Sequence, residues 1–488
     1  MRALHFFQCS LVCFLAATAS VSAKSIVDAV YRENCASCHG AELEAGSGGA
    51  LADGLWKHGG SDHAIADSIA AGILDAGMPA YGKTLSPEVI RSLVVYIREK
   101  ESTFQAKEVP PVMPVGVVKT QRGSFVVETV LASGLETPWA LAFLPDGRKL
   151  VTERPGRLRV IDASWNLVLE PVNGTPQVVQ SNQGGLLDVV PAPDFASSGW
   201  IYLSYAAPLP RGEPASKSSM TKISRGRLIQ NRWVDEETIF EADPVHFSTS
   251  GVHFGSRLVF DRGDLYFSIG DRGQSPAAQD IAAPNGKILR LHSDGSIPAD
   301  NPFATRIDAL AAVWSYGHRN PQGLVVDPRS HEIYDTEHGP RGGDEFNLIR
   351  KGANFGWPLV CFGMNYDGSP LTALTELDGI DAPLYHWTPS IATCGLAFYI
   401  GDKFPDWTHD YFVGGLRAGG SAGPRKSGCL QRLRIRAGKV IEAETIFEGL
   451  GRVRDVRCGP DGLIYVVLNQ PDSIIRLVPV LAEPADPI

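Results

Sequence analysis

The sequence predicts two domains of different class: a small all-α domain, followed by an all-β six-bladed β-propeller. Three observations predict this. The run "NCASCHG", residues 34–40, lies among stretches with helical periodicity. A proline- and valine-rich segment, "AKEVPPVMPVGVVKT" at 106–120, ends that periodicity. Beyond it, one strand–turn–strand unit recurs six times. A chain of 488 residues also exceeds what one hydrophobic core usually spans, and 51 glycines with 34 prolines favour turn-rich architecture.

Residues 1–23 read as a cleaved secretory signal. Arg2 supplies the positive start, "FFQCSLVCFLAA" the apolar core, and "VSA" a small-residue cleavage site before Lys24. The alternative, a membrane anchor, needs roughly 20 apolar residues, more than this run offers. The expectation is therefore a periplasmic protein with no membrane span. The net charge of −9 and the lack of a long basic run exclude a nucleic-acid partner. Of the eight cysteines, Cys9 and Cys13 leave with the signal and Cys35 and Cys38 belong to the opening motif. Cys361, Cys394, Cys429 and Cys458 allow three disulfide pairings, or remain free thiols.

In Cys35-Ala-Ser-Cys38-His39, two thiols can form thioethers to one porphyrin while His39 reaches the iron from the same side. A redox disulfide would need a thioredoxin-like strand before the motif, and zinc would need a second ligand pair; neither is visible. "SIVDAVYREN" leads in as a short amphipathic helix with Val27, Val30 and Tyr31 on one side. Met78, in "AGMPAYG", is the expected sixth ligand, suited to electron transfer; Met113, the competitor, reads as linker. In "SPEVIRSLVVYIREK", Ser86 caps, Pro87 fits the first turn, and Ile90, Leu93, Val94 and Ile97 follow the helical period. The stretch resembles a class I cytochrome c. The expected organisation is a signal at 1–23, a cytochrome c domain at 24–104, a semi-rigid extended linker at 105–123 and a propeller at 124–482.

The six echoes begin at "WALAFLPDGRKLVTE" (from 139), "GGLLDVV" (184), "GSRLVFDRGDLYFSIGD" (255), "PQGLVVDPRSHEIYDTEHG" (321), "CGLAFYIGD" (394) and "VRDVRCGPDGLIYVVLN" (453). Each is a hairpin with turn chemistry at its tip, and a lone hairpin cannot bury its apolar face. Radial repetition satisfies them all; a β-sandwich is the alternative. Propellers bind ligands where loops converge at one end of the axis. His253 precedes one blade strand and Arg319 and Asn320 the next. Arg452 and Arg454 share one side of a strand, Arg417 ends another, and "NQGGLLD" offers Gln183. Arginines at matching places in separate blades point to a ligand with several carboxylates, because guanidinium forks match that group.

The motifs "NQGGLL", "HFGSRL", "GHRNPQGL", "EHGPRGGDEFNLI", "NFGWP" and "RVRDV", in that order, resemble the soluble aldose sugar dehydrogenases that use pyrroloquinoline quinone. That resemblance implies roles. His253 is the base that takes the anomeric hydroxyl proton while the C1 hydride moves to the quinone. Arg319, Asn320, Arg417, Arg452 and Arg454 hold the quinone, and Gln183 is a polar contact near the reacting face. Gly339 and Pro340 offer carbonyls to a calcium ion on the cofactor, and Asp344 and Glu345 lie where the family supplies acids for a second calcium. Trp387 and Ser390 fall where it has an aromatic wall and a small hydroxyl residue. Val252 and His338 replace an acid and an amide of the glucose-oxidising branch, which points to broader aldose oxidation. The fused cytochrome is the larger departure. It gives the reduced quinone a one-electron acceptor on the same chain, with an external cytochrome, copper protein or oxidase downstream. Two rival readings are a cytochrome cd1-type nitrite reductase, which needs eight blades, and a non-catalytic binding propeller, which would have lost the base and the arginines.

Overall fold

The computed structural model describes residues 25–108, 115–210, 217–417 and 428–480. The signal expected over 1–23 lies outside them. Helix α1 (Ile26–Asn34) starts where Ser25 accepts the Asp28 amide, and Asp28 pairs with Arg32 one turn on at 2.8 Å. A single turn, α2 (Ala36–His39), carries the second thiol and the histidine, and Gly40 stops it with a positive φ. Helix α3 (Asp62–Ala71), which the sequence reading did not identify, is capped by Ser61 and buries Ile65 and Ile69. Helix α4 (Pro87–Glu108) buries the expected Ile90, Leu93, Val94 and Ile97, and also Arg91, Val95 and Glu99 on its other side. It is therefore packed on two faces, one of them turned away from its own domain.

The extended linker read from the sequence is shorter than expected. Helix α4 runs on to Glu108, and strand Val118–Thr120 already pairs with Gly123–Leu131. Between them, 109–114 lie outside the described residues. Pairing with the last strand of the fold, Ser473–Pro479, is what makes 123–131 extended.

Six antiparallel sheets follow, each opening on one of the six sequence echoes. Blade 1 has three strands (Pro138–Phe143, Lys149–Glu153, Arg157–Ile161). Blades 2 to 5 have four each, opening on Leu186–Pro191, Leu258–Asp261, Pro321–Val326 and Thr393–Phe398. Blade 6 (Arg452–Cys458, Ile464–Asn469, Ser473–Pro479) borrows Gly123–Leu131 from the start of the domain. This borrowed strand closes the ring, so the opening strands of successive blades touch in an unbroken cycle. Six blades do not meet the eight that the nitrite reductase reading requires. No helix among the described residues is long and apolar enough to cross a membrane. Cys361, Cys394, Cys429 and Cys458 are all free thiols.

The axis is polar rather than greasy. Arg257, 2% exposed, donates to the carbonyls of Gln322 (2.7 Å) and Arg454 (3.0 Å). It also meets Asp455 at 3.0 Å and Asp188 at 3.4 Å, and lies 4.1 Å over the Trp139 ring. One side chain thus joins blades 1, 2, 3, 4 and 6. Replacing it leaves Arg457 as the remaining cation for two buried carboxylates, a loss of roughly 3–5 kcal/mol. We expect Arg257→Met to lower unfolding free energy by about that amount in urea titrations followed by circular dichroism. A change under about 0.5 kcal/mol would show the axis does not depend on this group.

Candidate active site

The base expected at position 253 sits at the mouth of the axis. His253 has φ +53°, a left-handed backbone that histidine adopts at a cost. Surrounding contacts hold it there. Its amide donates to Gln183 Oε1 (2.8 Å), and a Cβ at Gly270 would lie 2.4 Å from its carbonyl oxygen, so only glycine fits beneath it. Its Nδ1 is 2.6 Å from Asp271 Oδ1. Asp271 also accepts the Gly273 amide and, through Oδ2, the Trp357 indole N–H at 2.8 Å. Nδ1–H donated to a carboxylate leaves Nε2 as the acceptor, the tautomer a general base requires. Burial pushes the imidazole below its ordinary pKa; Asp271 opposes this and Arg319 adds to it. Asp271 and Trp357 were not singled out in the sequence. The available signal was an acid after a strand-ending glycine in "SIGDRG" and the tryptophan of "NFGWP".

Several cationic residues lie in one region. Arg319 is 6% exposed, donates from Nη1 to the His338 (3.1 Å) and Gly339 (2.7 Å) carbonyls, and lies 5.2 Å over the Trp357 ring. Asn320 accepts the Gly255 amide, and its buried Nδ2 has no partner among the described residues. Arg454 donates to Gln322 Oε1 at 3.1 Å and reaches Cys394 Sγ at 3.2 Å. Burial, then Arg454 and Arg417, hold Arg452 below its ordinary pKa. A fifth guanidinium, Arg154, joins them unforeseen, pushed down to about 10 by burial and by Arg454 and Arg452. His338 is pushed down to about 3 by desolvation, Arg319, His253 and Arg454. These groups perturb one another because they share a region poor in counter-charge. An anion with several carboxylates would relieve that repulsion.

A negative pole lies beside this positive one, in blade 4. Asp335, Glu337 and Glu345 crowd around the Asn347 amide and the His318 ring, with His318 Nδ1 3.0 Å from Glu337. His318, Asp335 and Glu337 place one ligand atom each within 4.8 Å of the others. Burial and the neighbouring Glu337 drive both Asp335 and Glu345 well above the carboxylate range. A crevice of about 10 Å³, the scale of one water or ion, is lined by Glu337, Glu345 and the backbone of Gly339 and Pro340. Arg319, His338 and Cys361 also line it, but the carboxylates of Glu337 and Glu345 and the peptide groups of Gly339 and Pro340 supply hard oxygens of the kind calcium takes. Asp344 is placed differently from the sequence expectation. Its oxygens accept the Gly339 (2.9 Å) and Thr393 (3.2 Å) amides, so it braces the turn. Burial raises it to about 6. Ser390 lies beside Asp344, its hydroxyl oxygen buried. Trp387 packs in the core between blades 4 and 5 rather than walling the site.

In the helical domain a cavity of about 620 Å³ is lined by Cys35, Cys38, His39 and Met78 with Trp56, Leu93 and Ile97. The two thiols are not crosslinked. His39 Nδ1 lies 3.0 Å from the Gly49 carbonyl, which turns Nε2 toward the cavity. Met78 faces it from a turn closed by mutual backbone hydrogen bonds with Ile73. The thiol pair, the oriented imidazole and the thioether fit a haem.

A propeller gathering guanidiniums around an imidazole–carboxylate pair, fused to a domain with a haem-sized cavity, defines a two-domain redox enzyme. The chain belongs to the glucose/sorbosone dehydrogenase family, whose description, Glucose / Sorbosone dehydrogenase, matches residues 135–477. Residues 24–97 match cytochrome c oxidase, cbb3-type, subunit III, and form a cytochrome c domain. The chain is similar to aldose sugar dehydrogenase YliI of Escherichia coli K12, 43% identical over 70% of this chain and 89% of that one. A crystal structure of a glucose dehydrogenase superposes with TM-score 0.66 at 41% identity, over 73% of this chain and all of the other. The PQQ-bound form of aldose sugar dehydrogenase from Streptomyces coelicolor superposes with TM-score 0.57 at 27% identity, over 72% and 98%. This protein is thus a sugar dehydrogenase of the propeller type with its own cytochrome.

A base at His253 would act in its neutral form, so the acid limb of kcat/KM should fall below pH 6.5, the side to which burial moves the imidazole. Asp271→Asn removes the charge that favours imidazolium. The limb should then move lower still, and kcat should fall on the order of 10²-fold as the tautomer is lost. A limb moved upward in pH–rate profiles would contradict this assignment.

Proposed function

We propose that this protein oxidises aldose sugars at C1 to lactones in the periplasm, using pyrroloquinoline quinone and calcium, and passes the electrons through its own covalent haem to an external acceptor. The grouping of Arg319 with the His253–Asp271 pair, joined to Arg454 through His338 and from there to Arg452, Arg154 and Arg417, supports this reading. When bound, the quinone supplies a two-electron acceptor and calcium a Lewis acid at its carbonyl.

The chain's own residues do the rest. The guanidiniums and Asn320 bind and orient the cofactor's carboxylates and carbonyls. Gly339 and Pro340 offer backbone oxygens to calcium, with Glu345 and Glu337 close behind as counter-charge. His253 removes the anomeric hydroxyl proton through Nε2, so that C1 can release its hydride, while Asp271 holds the ring and stabilises the imidazolium formed. Gln183 fixes the His253 backbone at the mouth of the site. In the cytochrome domain, Cys35 and Cys38 would carry the thioethers and His39 and Met78 the axial ligands. Val252 beside the base, where the glucose-oxidising branch has an acid, is in keeping with the broader aldose-oxidising branch and leaves the preferred sugar open.

Apo-protein reconstituted with pyrroloquinoline quinone and calcium should reduce a dye in the presence of aldoses. His253→Gln should lower kcat by roughly 10²–10⁴-fold, and calcium chelation should abolish turnover. No turnover with any aldose across a panel would overturn the reading.

A further inference from the structure

The two domains meet on one stripe of α4. Arg91, Val95 and Glu99 recur every four residues, so they share a face, and all three are buried (7%, 0% and 5% exposed). That face is capped by two segments of blade 4. Glu99 holds Arg341 through two hydrogen bonds, 2.9 Å from Nε and 2.7 Å from Nη2. Arg91 donates to the Phe362 carbonyl at 2.6 Å, and its guanidinium lies 5.9 Å from the centre of the Phe362 ring. Val95 packs under Gly342, where a Cβ would lie 3.0 Å from Val95 Cγ1 and φ is +88°. Met364, fully buried, belongs to the helical domain's core, and it exchanges both backbone hydrogen bonds with Arg341.

These same segments form one wall of the propeller site. Pro340, Gly343 and Cys361 line the crevice beside Arg319, and each is within two residues of Arg341 or Phe362. On the other side of α4, Leu93 and Ile97 line the haem cavity. A bonded and hydrogen-bonded route therefore runs from the crevice through Pro340–Arg341 and Cys361–Phe362, across Glu99 and Arg91, to α4 and the cavity.

We infer that the Arg341–Glu99 pair is a positioning element that docks the cytochrome domain on the Pro340–Gly343 turn, making this contact the internal electron route between the two redox sites. The inference rests on the function proposed above. Each aldose oxidised releases two electrons and two protons. The electrons cross singly, each reducing ferric haem to ferrous, with an external one-electron acceptor restoring the ferric state between them. The protons leave to solvent.

The test uses the full chain carrying haem, reconstituted with pyrroloquinoline quinone and calcium and mixed with an aldose. Three readouts separate the possibilities: dye-linked turnover, growth of the ferrous haem absorption band in stopped flow, and amide hydrogen exchange of the quinone-free protein. In Glu99→Lys we expect dye turnover within about twofold of wild type, haem reduction slowed at least about tenfold, and faster exchange across Cys361–Met364. Glu99→Gln should give a smaller change of the same kind and keeps the test open should the reversal misfold. The exchanged pair, Glu99→Arg with Arg341→Glu, should recover most of the haem rate relative to its own dye rate. Unchanged exchange and haem reduction in Glu99→Lys would overturn the docking role. Faster exchange with undiminished haem reduction would overturn the route. Dye turnover with haem left ferric in the wild type would sink the route alone, whereas no dye turnover at all would sink the active-site reading and this one with it.

Discussion

The arrangement depends on a buried guanidinium at the axis. Arg257 bonds the backbone of Gln322 and Arg454 while neutralising Asp188 and Asp455. Those two acids also anchor backbone, Asp188 accepting the Leu258 amide and Asp455 the Leu141 amide. Arg457 completes the charge balance at 2.9 Å from Asp188 and 2.8 Å from Asp455. Such a network costs desolvation and is worthwhile only when fully satisfied. Here its use is geometric. It fixes where the opening strands of five blades stand relative to each other, and it bonds the Arg454 carbonyl directly. The catalytic groups come from blades far apart in sequence, and this plug holds them in one register.

Above the plug, charge is sorted. Arg154 and Arg452 are held below their ordinary pKa by burial and by neighbouring arginines, whereas burial and a neighbouring carboxylate raise Asp335 and Glu345 on blade 4. Each pole alone would be an unfavourable arrangement; a polyanion and a dication bound side by side would neutralise both at once. The Gly339–Gly343 turn lies between the poles, with Gly339, Pro340 and Gly343 lining the crevice and Arg341 paired with Glu99 of the cytochrome domain. Asp344 braces it from within by accepting the Gly339 amide. One short turn would thus serve the proposed ion and cofactor as well as the second domain, which accounts for its glycines better than loop flexibility would.

Much of this was legible in the chain. The hairpin echoes gave the blade count because each inner strand pair carries alternating apolar residues around a turn, and the Cys-x-x-Cys-His run located the cavity. His253, Arg319, Arg452 and Arg454 could be placed because they occupy equivalent strand ends. Asp271, Trp357 and Arg154 escaped because their role depends on contacts between blades: Trp357 reaches Asp271 across 86 positions. The amide partners of Asp344 were not legible, because an acid after a glycine turn looks the same whether it binds an ion or two amides. Helix α4 shows a similar limit. Its Ile90–Leu93–Val94–Ile97 face follows the helical period, whereas nothing local marks the Arg91–Val95–Glu99 stripe as buried, because its partners lie 242 and 271 positions away.

The most direct test is diffraction from crystals of the protein grown with pyrroloquinoline quinone and calcium. The account predicts the tricyclic acid on the propeller axis, its carboxylates against Arg319, Arg452 and Arg454 and its edge within hydrogen-bonding reach of His253. Cofactor density confined to the outer rim of the blades, with those arginines paired to protein acids instead, would contradict it.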